Sequence, residues 1–411
     1  MKYTMPLFRS GGMEKRMKIT SVDVILVTLG RAATESSPWN PTIIRINTDE
    51  GISGYGEMGL TYGRAKKAAY GMAQDFGSLI VGMDPMNNEQ IWDKLHRSTF
   101  WGMGNGGVVM SAISAIDIAL WDIKGKALNV PCYQLLGGKT NTSLRAYASQ
   151  IQFDWGKESR SLVQPEEYAE AARKALADGY DAVKVDPVGF DDQGRWYGHR
   201  TYGLMDQKHL RLSVARLAAI REAVGSEVDI IVELHAKTDA NSAVQFARAI
   251  EDYDCFYYEE PTSPMNDGNM GYISRSIKLP VASGERIYTR WGYRPFLEQH
   301  ALQVIQPDLG NTGGLTEGKK ICDMAHIYDV PVQMHICGGP IATAAALQLE
   351  TVIPNYLIHE HHAAALLEEN IRSCKYDYQP VNGAFTVSDR PGIGQELSEE
   401  ALASAEIVTV R

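Results

Sequence analysis

The chain has 411 residues, 44% of them apolar and 22% charged, ordinary globular composition that suits one large domain with a smaller companion. Its net charge of −10, with no basic cluster, argues against nucleic acid as a partner and means that a small anionic substrate needs a local cation. No apolar run reaches membrane-spanning length, and the five scattered cysteines, without metal-type spacing, read as reduced thiols of a cytoplasmic protein.

Residues 1–16 lack the apolar core of a signal peptide and are expected to be a disordered extension, with Met13 and Met17 as alternative starts. From 18 to 29 apolar and polar residues alternate as in a strand. Strands follow at 42–47 and 52–57, and Thr48-Asp49-Glu50-Gly51 between them is a hairpin signal. The stretch 30–41, rich in Ser, Thr, Ala and Pro, reads as a mobile loop and a lid, with Trp39 as its substrate contact. Helical periodicity marks 65–80, 88–97 and 108–128, so residues 17–140 form an α+β unit. The run Gly102-Met103-Gly104-Asn105-Gly106-Gly107 follows a helix rather than a strand. It therefore reads as a break between helices and not as a phosphate-binding loop.

After a linker signal at 136–143 the pattern changes to strand–helix alternation. Strands are predicted at 144–149, 181–186, 228–234, 255–259, 280–284, 302–306, 331–335 and 356–360, and helices at 165–178, 206–224, 239–251 and 315–327. Eight such strands argue for a closed parallel barrel over 141–370. Residues 371–411 hold no further barrel unit and are expected to return to the first domain. The segment 188–205 is long for a βα loop, and its Trp196-Tyr197-Gly198-His199 either covers a substrate or packs beneath the loop.

Three acids close successive apolar runs at a spacing of 26 residues: Glu233, Glu259 and Glu285. That step is about one strand–helix–strand unit of a barrel, whose strand ends carry the chemistry. Three hard oxygen ligands gathered there suit Mg²⁺, which keeps positions for substrate oxygens. Lys184 and Asp186 alternate at the end of the second strand, so both face the barrel mouth as substrate contacts. His235 stands two residues beyond Glu233, as a proton donor to a leaving group or as a structural histidine. Asp308 past the sixth strand and His335 at the end of the seventh form a candidate base dyad, because an acid fixes the tautomer of a histidine and raises its basicity. Glu360 ends the eighth strand and is placed to bond a substrate oxygen or the dyad. The adjacent His359, His361 and His362 resemble a zinc tract, but neighbouring strand residues face opposite sides.

Taken together these residues resemble the mandelate racemase group of the enolase superfamily. The likeness rests on Ala112-Ile-Ser-Ala-Ile-Asp-Ile-Ala-Leu-Trp-Asp-Ile-Lys-Gly-Lys126, Leu135-Leu-Gly-Gly138, Tyr258-Glu-Glu-Pro261, Gly284-Glu-Arg286 and Gln306-Pro-Asp-Leu-Gly-Asn-Thr-Gly-Gly314, and runs from Met17 onward. It implies a modified TIM barrel of the (β/α)7β type with an N-terminal α+β capping domain. Within the group the pattern is most similar to galactonate dehydratase and related acid-sugar dehydratases, which implies Mg²⁺, a His two residues after the first ligand (His235), a dyad at Asp308 and His335 and an eighth-strand acid at Glu360. Two departures stand out. The first ligand is Glu233 where Asp is usual, and the second strand reads Lys184-x-Asp186 where racemases carry Lys-x-Lys, which argues against racemisation by two bases. The expected reaction removes the proton α to a carboxylate and eliminates the 3-hydroxyl, giving a 2-keto-3-deoxy acid from an aldonate such as galactonate or gluconate. The alternatives are an epimerase or cycloisomerase that shares the first step, or a non-catalytic sugar-acid-binding homologue. The expected partners are the small acid sugar and copies of the same chain in a homo-oligomer, with neither nucleic acid nor membrane.

Overall fold

The computed structural model describes residues 16–29, 41–60, 65–98, 100–196 and 203–411. Of the predicted lid at 30–41, all but Pro41 lies outside the described residues, Trp39 included, as do Tyr197 and His199.

Strands β1 (Ile19–Leu26), β2 (Thr42–Thr48) and β3 (Ser53–Met58) form an antiparallel meander. The β2–β3 turn needs left-handed backbone at Gly51, where φ is +76°. Helices α1 (Lys66–Ile80), α2 (Asn88–Ser98) and α3 (Gly107–Leu128) follow, with one short 3-10 turn (Trp101–Gly104) where the glycine-rich run separates α2 from α3. Helix α3 is buried on nearly every side, as its apolar sequence demands, and packs on β3. The approach is so close that a Cβ at Gly54 or Gly56 would overlap the carbonyl oxygens of Ala119 and Ala115. Its outer side meets the barrel: Asp117 accepts the Thr316 N–H at 2.8 Å, and the Ser114 hydroxyl accepts the Gly313 N–H at 2.8 Å.

A short helix α4 (Cys132–Leu136) leads into the barrel, whose strands are β4 (Leu144–Ser149), β5 (Ala182–Val185), β6 (Asp229–Glu233), β7 (Tyr257–Glu259), β8 (Val281–Ser283), β9 (Val304–Ile305) and β10 (His359–His362). All pair in parallel in that order, and β10 returns to β4. The predicted seventh strand contracts to single bridges at Val332, one to Ile305 and one to Tyr356, which join β9 to the approach of β10. Pro331 has no N–H to donate, so the ladder cannot lengthen on that side. The barrel is thus closed, on the expected (β/α)7β plan. Helices α5 (Pro165–Ala177), α6 (Gln207–Val224), α7 (Ala240–Ala249), α8 (Asp267–Ser276), α9 (Thr289–Glu298), α10 (Gly314–Ile327) and α11 (Pro340–Glu350) surround it.

The tail does two things. Strand β11 (Ala384–Phe385) pairs antiparallel with β4 of the barrel, and β12 (Glu406–Val410) then adds to β1 in the first sheet. Among the described residues no helix is long and apolar enough to cross a membrane.

Candidate active site

Parallel strands all point one way, so the acids that end β6 and β7 and the acid two residues beyond β8 converge on one rim. Glu233 and Glu259 pair directly across adjacent strands. Carboxylate oxygens of Glu233, Glu259 and Glu285 lie within 4.8 Å of one another, the one such cluster of potential metal ligands among the described residues. Burial raises Glu259, the charge of Glu233 raises it further, and it stands well above the usual carboxylate range. Burial also raises Glu233, but the charges of His235 and Lys184 outweigh it and hold that acid down. Two carboxyls this close share a proton unless a cation intervenes. Glu233 Oε2 and Glu259 Oε2 are buried and accept no hydrogen bond, although Lys184 Nζ lies 3.3 Å from the former. An all-oxygen donor set with unsatisfied anionic atoms fits a hard divalent cation.

Lys184 is fully buried and reaches across the barrel lumen. Its ammonium lies 2.7 Å from Glu259 and 2.8 Å from Glu360. Burial alone would lower it, but the charges of Glu259, Glu360 and Glu233 raise it well above an ordinary lysine, so it stays cationic. Glu360 also takes the Ser149 hydroxyl at 2.6 Å and the Ile336 N–H at 2.9 Å. Its flanking histidines face elsewhere: His359 Nδ1 lies 2.6 Å from Glu350, and His361 Nδ1 meets the Tyr180 hydroxyl. They form no zinc tract.

Two histidines stand at opposite ends of the carboxylate arc. His335 Nδ1 is 2.8 Å from Asp308 Oδ2, and its Nε2 is 3.0 Å from Glu285 Oε2. Burial would lower its pKa, but Glu285 and Asp308 together raise it well above 6.5. On the other flank His235 Nδ1 is 2.8 Å from Asp186 Oδ2. Its Nε2 faces Gln150 at 3.5 Å, and its own N–H donates to Glu233 Oε1 at 2.8 Å. His235 and Ala236 both have positive φ, +47° and +51°. Left-handed backbone costs a non-glycine residue roughly 1–2 kcal/mol, and such strain concentrates at functional sites. This turn brings Lys237 back onto Asp186, where its ammonium bonds the same carboxylate oxygen as His235 and lies 4.3 Å from the centre of the Trp196 ring. Burial raises Asp186, and Lys237 and His235 outweigh it and keep the acid ionised.

All the predicted site residues that are described therefore meet in one mouth; Trp39 is outside the described set. Asp186 differs from the expectation in its company, since it is engaged by His235 and Lys237. Lys237 itself escapes sequence reasoning, because its only signal is a basic residue two places after His235. Gln150 escapes it too, as does Glu57, an acid ending a glycine-spaced strand. Trp196, for which the sequence allows two roles, lies 6.4 Å from the His235 ring and stacks on Phe153.

Comparison with known proteins gives a consistent answer. Residues 20–137 match the N-terminal domain model of mandelate racemase and muconate lactonizing enzyme, and residues 167–401 match the enolase C-terminal domain-like model. A D-galactonate dehydratase of Variovorax paradoxus is 34% identical over 370 residues, 88% of this chain and 90% of that one. A D-xylonate dehydratase of Haloferax volcanii is 33% identical over 371 residues, 89% of this chain and 84% of that one. The crystal structure of a member of the enolase superfamily from Salmonella Typhimurium superposes with a TM-score of 0.91 at 55% identity, covering 96% of this chain and all of the other. The chain belongs to the mandelate racemase and muconate lactonizing enzyme family of the enolase superfamily.

Proposed function

We propose that this protein is a Mg²⁺-dependent dehydratase of an acid sugar, an aldonate such as galactonate or gluconate, and that it forms a 2-keto-3-deoxy acid. It is a carbon–oxygen lyase of the hydro-lyase class, in keeping with relatives named D-galactonate and D-xylonate dehydratase. One observation carries the reading: a three-carboxylate cluster with a carboxylate-held histidine on each flank. Glu233, Glu259 and Glu285 would hold Mg²⁺, which would supply the positive charge that makes the proton α to a substrate carboxylate more acidic.

His335 acts as base. Asp308 holds its Nδ1–H, which leaves Nε2 directed at the cluster, in keeping with the Lys or His bases of such sites. His235 acts as acid, its Nδ1–H held by Asp186 so that the transferable proton sits on Nε2, towards Gln150. Lys184 holds positive charge among the carboxylates, and Glu360, anchored by Ser149 and Ile336, offers a lone pair to a substrate hydroxyl. Trp39 is assigned to the lid. Elimination is favoured over racemisation because the position of a second-strand base is taken by Asp186, which His235 and Lys237 already occupy. Homo-oligomeric assembly and a cytoplasmic location belong to the same proposal.

The test is a panel of acid sugars incubated with the Mg²⁺-loaded protein and assayed for 2-keto acid. One or more aldonates should give product, chelation should abolish it, and folded Glu259→Gln should lack it. An epimerised or cyclised product in place of a keto acid would overturn the reading.

A further inference from the structure

We infer that Glu57 and Gly59, at the end of β3 in the N-terminal domain, are positioning residues for the His335–Asp308 pair. The kinetic part of this inference rests on the dehydratase reading above.

His335 leads directly into the segment that opens α11. That segment is held at two points. Near His335, the Ile336 N–H donates to Glu360 at 2.9 Å. At the far end, the Glu57 carboxylate accepts the Gly339 N–H through Oε1 and the Ala342 N–H through Oε2, the latter at 2.9 Å. These are among the donors that a helix start leaves unpaired, and an anion is favoured there. The usual partner is a local cap, yet Glu57 lies 282 residues away in sequence and on the other domain. The packing admits little else: a Cβ on Gly338 or Gly339 would lie 3.1 Å from Glu57 Oε1.

The same strand end holds the acid of the dyad. The Gly59 N–H donates to the Gly310 carbonyl at 2.9 Å, and the Gly310 N–H donates to Asp308 Oδ1 at 2.7 Å. A Cβ on Gly310 would lie 2.7 Å from the Gly59 nitrogen, and one on Gly59 would overlap the Asn311 side chain. Thus β3 touches both loops that carry the dyad, one through Glu57 and the other through Gly59.

Holding the domains together does not require this arrangement. Helices α2 and α3 dock on the start of α10 through Trp92 to Gly313, Ser114 to Gly313 and Asp117 to Thr316. Glu57 is fully buried and its bonds are to backbone N–H groups, with no cation paired to it among the described residues. Burying an acid on such terms is costly, which is unexplained by docking alone and explained by a task in placing the loop. Reacting groups must be held closely, and a displacement of about 1 Å far from the chemistry can cost about 10²-fold in rate.

The experiment compares the full-length, Mg²⁺-loaded wild type with Glu57→Gln and Gly59→Ala. The amide of Glu57→Gln keeps the shape but presents an NH₂ to one of the two N–H donors. In the variants, kcat for keto-acid formation should fall by about 10²-fold with KM unchanged. Solvent deuterium exchange at the α-carbon should fall by the same factor, because it needs only the base. A 3-fluoro analogue, whose leaving group needs no proton donor, should suffer equally. A rise in KM with kcat preserved would overturn the inference, as would a lower melting temperature with unchanged kcat per folded molecule. Backbone amide exchange gives an arm independent of turnover. Segment 336–342 should exchange faster in Glu57→Gln and segment 308–312 in Gly59→Ala, each by about tenfold for a loss of some 1.4 kcal/mol of local protection, while β6 and β7 stay as in the wild type. If the wild type dehydrates no acid sugar, the dehydratase reading fails and this arm alone decides. Unchanged exchange in both segments would then sink the positioning role.

Discussion

His235 and His335 show how one side-chain type takes two proposed roles through its company. Each has Nδ1 held by an aspartate at 2.8 Å, so the second nitrogen is the one free to act. The difference lies in what that nitrogen faces: Glu285 for His335, Gln150 for His235. Lys237 adds a second positive charge on Asp186, whereas the corresponding atom of Asp308 is shared with no lysine or arginine among the described residues. On this basis His335→Asn should lose both dehydration and α-proton exchange with D₂O, measured by NMR. His235→Asn should lose dehydration, and it keeps exchange if His335 trades its proton with solvent before returning it. Exchange that persists in His335→Asn and vanishes in His235→Asn would reverse the two roles. These residues are legible in the sequence because each barrel strand shows only its C-terminal end to the mouth, so a regular spacing of polar residues at the ends of apolar runs marks the rim. Lys237 is not legible in that way, because strand alternation does not describe a left-handed turn. Nor is Glu57, because its partners lie on another domain.

At the scale of elements, legibility follows local signals. The predicted helices at 165–178, 206–224 and 315–327 differ from α5, α6 and α10 by a residue or so at the ends. Pro165 and Asp206 mark two of those starts as capping chemistry predicts. Helices α8, α9 and α11 are hidden in the sequence for separate physical reasons. Two glycines weaken α8, Pro295 interrupts α9, and α11 from Ile341 to Glu350 is buried throughout, so it shows no amphipathic period. The predicted seventh strand keeps its bridges only at Val332, and Pro331 accounts for its short start. Capping also supplies a measurable prediction. The Asp206 side chain accepts the His209 N–H at 2.9 Å at the start of α6, the helix whose buried Arg216 bonds the carbonyls of Val163, Pro187 and Phe190. Asp206→Ala should cost about 1 kcal/mol in denaturant titration with the slope unchanged. A change inside experimental error would mean that the cap adds nothing to a helix already anchored at its middle by Arg216.

For the whole molecule, the seam between the domains contains buried acids, and this makes its strength depend on pH. Asp117 on α3 is buried and bonds Thr316 on α10 through both the N–H, at 2.8 Å, and the hydroxyl, at 2.5 Å. Burial pushes it up from 3.8 to about 7, against the lowering effect of those two bonds. The sign follows from proton affinity. An acid whose pKa is higher folded than unfolded binds its proton more tightly in the folded state. Its contribution is therefore greatest below pH 3.8 and is lost as pH rises towards about 7. A rise of that size corresponds to about 4 kcal/mol across the window, at 1.36 kcal/mol per pH unit. Asn at this position keeps a carbonyl for the Thr316 N–H and an NH₂ for the hydroxyl oxygen, but has no proton to lose. Wild type and Asp117→Asn should therefore be compared by thermal midpoint from pH 5 to pH 8. The wild type should lose ground to the variant steadily as pH rises, and the difference should level off above the folded pKa. Parallel curves across the range would show that the pKa of Asp117 is the same folded and unfolded, and the pH dependence assigned to this contact would then fail.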